Sequence, residues 1–332
     1  MSTVNLPLSL LDLAQVGPGE TVRDALAQSV ELAKLADAGG YERLWYAEHH
    51  NMRAIASAAP AVLIARMGAE TSRIRLGAGG VMLPNHSPLA IAEQFGTLAE
   101  LYPGRIDLGL GRAPGGDQAT FAALRRSPAA SDAFPRDVVE LQQYLRGIPT
   151  ESGVVATPGA GTDVPLYILG SSLFGAQLAA YLGLPYAFAS HFAPAALEQA
   201  IELYRNEFRP AQTATGLSEP YVIAAVGVIA DDDPERAHDQ LTITKRQRAK
   251  FLFGRGRDLT DDQLDELLDG PVGRQVDEMV RYAAVGTPEQ VRRELSEFAD
   301  FARADELMLA PMAYDREVWS GTARALAPAP AP

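Results

Sequence analysis

Two adjacent histidines follow an apolar segment and are the residues best suited to chemistry. His49 and His50 come directly after Glu48. Imidazole titrates near neutral pH, so a histidine at this point can donate or accept a proton. A shared metal ion is disfavoured, because adjacent residues that leave a strand point to opposite faces and no further carboxylate or H-x-H cluster completes a ligand set. We therefore expect no metal, one histidine that faces the site and one that packs outward.

Glycines and an arginine follow two further apolar segments. Gly79-Gly80 stands where the backbone must turn inward, which is typical either of a tight strand exit or of a flat ligand that approaches bare backbone. Arg112 ends the segment Gly109-Leu110-Gly111-Arg112. An arginine fork in a glycine-rich loop can bind a phosphate, or it can simply lie on the surface. Each signal is weak by itself.

A pair of serines supplies a further candidate contact to the same anion. Gly170-Ser171-Ser172 precedes a helix predicted to begin near Phe174. Hydroxyl groups and the N–H groups at a helix N-terminus can hold a phosphate. Helix capping explains the two serines equally well, so both interpretations stay open.

Strand-like and helix-like segments alternate around these residues. Short apolar runs predict eight strands, at residues 7–13, 43–47, 74–78, 106–110, 166–169, 185–190, 221–229 and 306–309. Helical periodicity, often with a Ser-Pro or Thr-Pro start, predicts helices at 21–38, 57–70, 88–101, 135–145, 174–182, 194–208, 287–303 and 316–326.

This alternation predicts a closed (β/α)8 barrel, a TIM barrel, with insertions after strands 4 and 7. The second insertion is a polar helical segment at 231–282. An open doubly wound sheet is the runner-up, and it is disfavoured because no G-x-G-x-x-G follows the first strand. We expect a single domain over residues 1–326 and a disordered Ala/Pro tail over 327–332. The candidate residues follow strands 2 to 5, where a barrel builds its active site.

Composition narrows the classes of function. The 332 residues include no cysteine, which excludes disulfides, thiolate metal sites and a cysteine nucleophile. The formal charge of −13 argues against nucleic-acid binding, although a few local cations can still hold a phosphate. No signal sequence and no membrane span is evident, so we expect a cytoplasmic protein without membrane association.

Four motifs in register give the chain its resemblance to a known family. They are the Glu48-His49-His50 exit, the segment from Ile74 to Pro84 (IRLGAGGVMLP), the segment from Gly104 to Arg112 (GRIDLGLGR), and Val285-Gly286-Thr287-Pro288-Glu289. Together they resemble the luciferase-like flavin monooxygenases, and the resemblance covers most of the chain.

The resemblance implies an FMN-binding barrel that oxygenates a small organic substrate with O2 through a peroxyflavin. His49 matches the family's catalytic histidine, and Gly79-Gly80 matches a non-proline cis peptide beneath the flavin ring. Arg112 and Ser171 match positions that hold the FMN phosphate, although Gly170 replaces an acidic residue found in luciferase. His191 matches a position near the flavin, where a structural role is equally open.

The same resemblance implies partners and alternatives. Reduced FMN is expected from a separate flavin reductase, since the sequence contains no second nucleotide-binding motif. A homodimer is expected, because the family commonly dimerises and the Ala-rich helix at 57–70 permits close packing. The main alternative is an F420-dependent oxidoreductase of the same superfamily, followed by a non-catalytic flavin-binding relative and, more distantly, a metal-dependent hydrolase.

Overall fold

The protein folds around parallel β-strands. The computed structural model describes residues 4–113, 118–149, 153–211, 216–254 and 259–328. Their strands are β1 (Leu8–Asp12), β2 (Arg43–Tyr46), β3 (Arg75–Met82), β4 (Ile106–Gly111), β5 (Leu166–Gly170), β6 (Tyr186–Phe188), β7 (Val222–Ala230), β8 (Ala284–Gly286) and β9 (Glu306–Pro311).

Eight of these strands close into a barrel, which confirms the predicted TIM-barrel fold and excludes the open sheet. Strands β1 to β6 pair in chain order, β6 pairs with β7, and β9 fills the place between β7 and β1. All the pairings are parallel, so the carboxyl ends of the strands meet at one mouth.

Helices surround the barrel. They are α1 (Val22–Ala38), α2 (Pro60–Gly68), α3 (Pro88–Leu101), α4 (Gln118–Ala123), α5 (Phe134–Arg146), α6 (Leu173–Leu182), α7 (Leu197–Glu207), α8 (Pro234–Phe253), α9 (Asp261–Leu268), α10 (Pro271–Met279), α11 (Pro288–Phe301) and α12 (Arg316–Ala325). Capping residues fix several of the starts, as at Thr21 before α1 and Thr287 before α11, where a side chain accepts a hydrogen bond from the first turn.

The two predicted insertions are present, and the second contains an unpredicted strand. Helices α4 and α5 follow β4, and helices α8, α9 and α10 follow β7. The insertion then returns through β8, which pairs with the end of β7. Three residues are too few to give a periodic signal, so this strand was not predictable from the pattern. The glycine-containing segment 114–116 lies outside the described residues.

The third strand is longer than predicted. The sequence indicated an end at Ala78, before the glycine pair, but β3 continues to Met82. Its pairing with β4 shifts register between Ala78 and Val81, so one extra residue is accommodated as a bulge and the ladder resumes. Gly79 and Gly80 therefore lie within the strand and not after it.

A buried network of charged side chains, called the floor below, closes the amino-terminal end of the barrel. The Arg43 guanidinium donates to Asp107 Oδ2 and to Glu306 Oε1, both at 2.7 Å. Both carboxylates are fully buried, and Glu306 also accepts hydrogen bonds from Ser9 and Tyr221. Burial alone would lower the pKa of Arg43, but Asp107 and Glu306 outweigh it and raise that pKa. The charged side chains of the floor are therefore paired with one another.

Apolar side chains fill the layer above the floor. Leu11, Trp45, Tyr167, Ile223 and Met308 belong to one buried cluster inside the barrel. Trp45 and Tyr167 meet edge to face, with ring centroids 5.0 Å apart. The interior of the barrel below the mouth is therefore filled by side chains.

Two features concern the chain as a whole. Across the described ranges, no helix has both the length and the hydrophobicity that a membrane span requires. At the C-terminus, Ala327 packs partly buried against the main core. Residues 329–332 of the expected tail lie outside the described residues.

Candidate active site

Two histidines lie at the mouth, after β2 and β6. Ala47 belongs to the apolar cluster inside the barrel, and His49 follows it by two residues, the spacing of side chains on one face of a strand. His191 lies in the turn after β6, close enough to His49 for the two rings to interact electrostatically. Within the described part of the chain, Nδ1 of each ring is buried and has no hydrogen-bond partner. The hydrogen-bonding capacity of these two nitrogen atoms is thus unused.

Burial keeps both imidazoles neutral. It lowers the pKa of His49 below its ordinary value and outweighs the opposing attraction of Glu48. It also lowers the pKa of His191 to about 3, with further contributions from Arg248 and from His49. A neutral ring carries one N–H donor and one free acceptor. Both histidines are therefore in the form that can accept a proton at neutral pH.

The neighbouring histidine, His50, is held in place by Glu48. Both His50 Nε2 and His86 Nε2 lie 2.8 Å from Glu48 Oε1, and Glu48 Oε2 accepts a hydrogen bond from Met82 N at 3.1 Å. Burial alone would raise the pKa of Glu48, but these contacts lower it. The carboxylate therefore fixes the exits of β2 and β3 to each other.

His86 was missed by the sequence argument. The ligand atoms of Glu48, His50 and His86 lie within 4.8 Å of one another, a grouping of a type that can hold a metal ion. The sequence offered no signal for it, because His86 lies 36 residues beyond His50 and follows a different strand. The hydrogen bonds to Glu48 already account for the arrangement, so we assign it a positioning role.

Bare backbone forms the wall beside His49. The Gly79-Gly80 peptide bond is cis, as the family resemblance implied. A Cβ atom on Gly79 would lie 2.9 Å from Trp45 Cβ, and one on Gly80 would lie 2.8 Å from the carbonyl oxygen of Gly109. No side chain fits at either position without a shift of its neighbours. The two glycines therefore let β3 pack closely against Trp45 and β4, and they leave this stretch of the strand as bare backbone.

An arginine and a helix N-terminus meet at the exits of β4 and β5. The guanidinium carbon of Arg112 lies 4.1 Å from the centroid of the Phe174 ring, in the first turn of α6. No carboxylate among the described residues pairs with Arg112. Ser172 is the N-cap of α6, but its side chain makes no capping hydrogen bond. Capping therefore does not explain this serine, and the N–H groups of the helix remain available beside a cation and Ser171.

A second arginine reaches the mouth from the insertion after β7. Arg248 Nη2 donates to the carbonyl oxygen of His191 at 3.3 Å and lies 3.4 Å from Met312 Sδ. Sequence reasoning missed this residue, because α8 is polar along much of its length and Arg248 lies 57 residues beyond His191. The structure thus adds a cation to a different side of the mouth from Arg112.

The fold and site together define a class of protein: a parallel (β/α)8 barrel whose mouth combines neutral histidines, bare backbone in β3 and an arginine beside a helix N-terminus. The family model for luciferase-like monooxygenases matches residues 6–304. A "Luciferase-like monooxygenase" of Escherichia coli K12 is 45% identical over 320 residues, covering 96% of this chain and 95% of the relative. The chain belongs to the luciferase-like monooxygenase family.

Other relatives carry more specific names. An N-acetyl-S-alkylcysteine monooxygenase of Bacillus subtilis is 34% identical over 314 residues, with 91% of each chain covered. The solved structure of apo-MsnO8 superposes with a TM-score of 0.85 at 37% identity, covering 97% of this chain and 98% of that one.

More distant solved structures share the fold and differ in cofactor. The oxygenating component of a 3,6-diketocamphane monooxygenase from Pseudomonas putida, in complex with FMN, has a TM-score of 0.73 at 15% identity and covers 97% of this chain and 96% of that one. An F420-dependent tetrahydromethanopterin reductase from Methanopyrus kandleri has a TM-score of 0.67 at 17% identity and covers 98% of both chains. At these identities the likeness concerns the fold alone.

Proposed function

We propose that the protein is a two-component monooxygenase that uses reduced FMN and O2 to oxygenate a small organic substrate. The observation that carries the proposal is the bare backbone at Gly79-Gly80, together with Arg112 at the same mouth, which pairs with no carboxylate among the described residues. A planar ring that ends in a phosphate matches both features. Membership of the monooxygenase family supports the choice of reaction.

Named residues would hold the cofactor. Arg112, Ser171 and the N–H groups at the start of α6 would bind the phosphate, because a guanidinium fork and a helix N-terminus both favour an anion. The wall at Gly79-Gly80 would support the ring, and His191 would lie near it. Bound reduced FMN supplies the electrons that activate O2.

Side chains of the protein would handle the proton and exclude water. His49 is neutral and has a buried, unpartnered Nδ1, so it can hold or move a proton at that atom. The apolar layer and the floor exclude water from below, which protects a reactive site from side reactions. Reduced FMN would come from a separate reductase.

The phosphate assignment is tested with two ligands. We expect Arg112→Ala to weaken FMN binding by roughly 1.5–3 kcal/mol and riboflavin binding far less, because only FMN carries the phosphate. Fluorescence titration measures both affinities. Arg136→Ala is the matched control, since Arg136 is an exposed arginine of α5 with 79% of its side chain accessible. Equal losses for the two ligands would remove Arg112 from the phosphate site.

The cofactor and the reaction are tested on the wild-type protein. We expect FMN to bind more tightly than F420, and photoreduced FMN to support O2 consumption that rises when a substrate from a panel of small organic compounds is added. Tighter binding of F420, together with hydride transfer in the absence of O2, would replace the proposal with the F420-dependent alternative.

A further inference from the structure

Arg248 is a cation at the mouth that does not belong to the proposed FMN site. Its guanidinium lies between His191, after β6, and Met312, after β9. Met312 faces the inside of the barrel, because a Cβ atom on Gly227 of β7 would lie 2.4 Å from Met312 Sδ. Arg112 occupies the exits of β4 and β5 instead. The two arginines therefore serve different parts of the mouth.

The charge of Arg248 has no counterion among the residues that the structure describes. Its partners are Met312 Sδ and the carbonyl oxygens of His191 and Met279, all at 3.3–3.4 Å. A guanidinium has five N–H donors, so these long contacts leave donors unused. Burial lowers the pKa of Arg248, and only Tyr314 opposes this effect. A half-buried, unpaired charge is costly to keep unless a ligand completes it.

Three other arginines of the chain have carboxylate partners. Arg43 and Arg75 both pair with Asp107 in the floor. On the same helix as Arg248, Arg246 pairs with Asp265 at 2.6 Å. Arg105 also lacks a carboxylate partner among the described residues, but it donates to the carbonyl oxygens of Ile74 and Thr71 at 3.0 Å. Arg248 differs from it in having only long contacts.

We propose that Arg248 binds the carboxylate of an anionic substrate at the β6, β7 and β9 side of the mouth; this inference rests on the proposed function. A guanidinium fork matches a planar carboxylate through two parallel hydrogen bonds. One unpaired cation balances one negative charge, whereas a phosphate dianion would stay partly uncompensated. The protein carries a net charge of −13, so an anionic substrate needs such a local cation to bind.

The test compares carboxylates with their uncharged amides. Calorimetric titration of the FMN-loaded protein uses benzoate with benzamide, hexanoate with hexanamide, and N-acetylmethionine with its carboxamide. We expect at least one carboxylate to bind more tightly than its amide. Arg248→Gln is expected to weaken binding of that carboxylate by about 10- to 100-fold and to leave the affinity for the amide unchanged. Arg248→Lys keeps the positive charge but not the guanidinium fork, so we expect it to lose less affinity for the carboxylate than Arg248→Gln.

Arg246→Gln is the matched control, since it removes an arginine two residues away whose charge is already paired. It should leave the preference for carboxylates intact. Amides that bind wild-type protein as well as their carboxylates would overturn the proposal, and so would a preference that survives in Arg248→Gln. If Arg248→Gln does not fold, the wild-type comparison and Arg248→Lys still decide.

A parallel FMN titration separates the two proposals. A protein that binds FMN but shows no preference for carboxylates keeps the proposed function and loses this inference. A protein that prefers carboxylates, through Arg248, but does not bind FMN keeps this anion site and loses the proposed function.

Discussion

The imidazoles of His49 and His191 differ from that of His50 in the groups that surround them. His50 is tied to a carboxylate, which gives it a structural partner. His49 and His191 have a buried nitrogen atom without a partner in the described part of the chain, and burial depresses the pKa of each. A proton accepted by either ring would be poorly stabilised, so it would be passed on readily.

We expect His49→Ala to leave FMN affinity nearly unchanged and to lower substrate oxygenation by about 10²–10⁴-fold, the usual contribution of a general acid or base. More of the consumed O2 should then be recovered as hydrogen peroxide. A peroxide assay beside product quantification measures the ratio. His50→Ala is the comparison variant. Unchanged turnover in His49→Ala with a loss in His50→Ala would transfer the role to the other ring.

His191 should make stability depend on pH. Its pKa falls from 6.5 in the unfolded chain to about 3 in the folded protein. Between these values the unfolded chain binds a proton that the folded protein does not. The contribution of His191 to the free energy of unfolding is therefore fully present above pH 6.5. It is lost as the pH falls, by up to about 1.4 kcal/mol per pH unit.

Urea unfolding at pH 7.5, 6 and 5 measures this slope in the wild-type protein and in His191→Gln. We expect the stabilities of the two proteins to converge at acidic pH, because the variant lacks the titrating group. Parallel curves for the two proteins would show that His191 is not shifted.

At the level of single residues, the strand exits and the family resemblance predicted His49, Arg112 and Ser171 as site residues, and their roles stay predictions. The strand exits alone left His49 and His50 open, and only the resemblance favoured His49. The structure adds that His50 shares Glu48 with His86. Arg248 and His86 carry no local motif, and only the folding of distant segments brings them to the mouth.

Among the elements, glycines of similar appearance have opposite roles. Gly321 lies inside α12, and a Cβ atom there would meet nothing within 4 Å. Gly273 lies in α10, where a Cβ atom would lie 1.7 Å from the carbonyl oxygen of Leu268. Helical periodicity cannot tell these two positions apart, because the difference comes from the neighbouring backbone.

We expect Gly321→Ala to stabilise the protein by about 0.5–1 kcal/mol, because alanine loses less conformational entropy in a helix. Gly273→Ala should destabilise it by roughly 1–3 kcal/mol, because the backbone must move to admit the methyl group. Thermal unfolding of the two variants measures both effects. A loss of stability in Gly321→Ala would contradict the first expectation.

Element boundaries were predicted where a capping residue marks them. The starts of α1, α3 and α11 carry Thr21, Ser87 and Thr287 as side-chain caps. Helix α2 begins at Pro60, later than the predicted Ser57, because no side chain caps it and Pro60 sets its first turn. The N-cap residue is Ala59, and the helix was predicted to start three residues too early, at Ser57.

For the whole molecule, we expect a homodimer. Helix α2 exposes Val62, which is 69% accessible, and the end of the adjacent α3 exposes Leu101, which is 59% accessible. Apolar side chains on neighbouring helices favour association with a second copy. Sedimentation velocity at micromolar concentration measures the mass. A monomer throughout that range would show the expectation to be wrong.

The floor of the barrel also has a consequence for the order of events. Arg43, Arg75, Asp107 and Glu306 balance two positive charges with two negative ones, and they pack the narrow end with ion pairs. Ligands therefore enter and leave the barrel through the mouth alone. If FMN binds against Gly79 and the substrate beside Arg248, as proposed, FMN lies deeper in the barrel, so we expect it to bind first and to leave last.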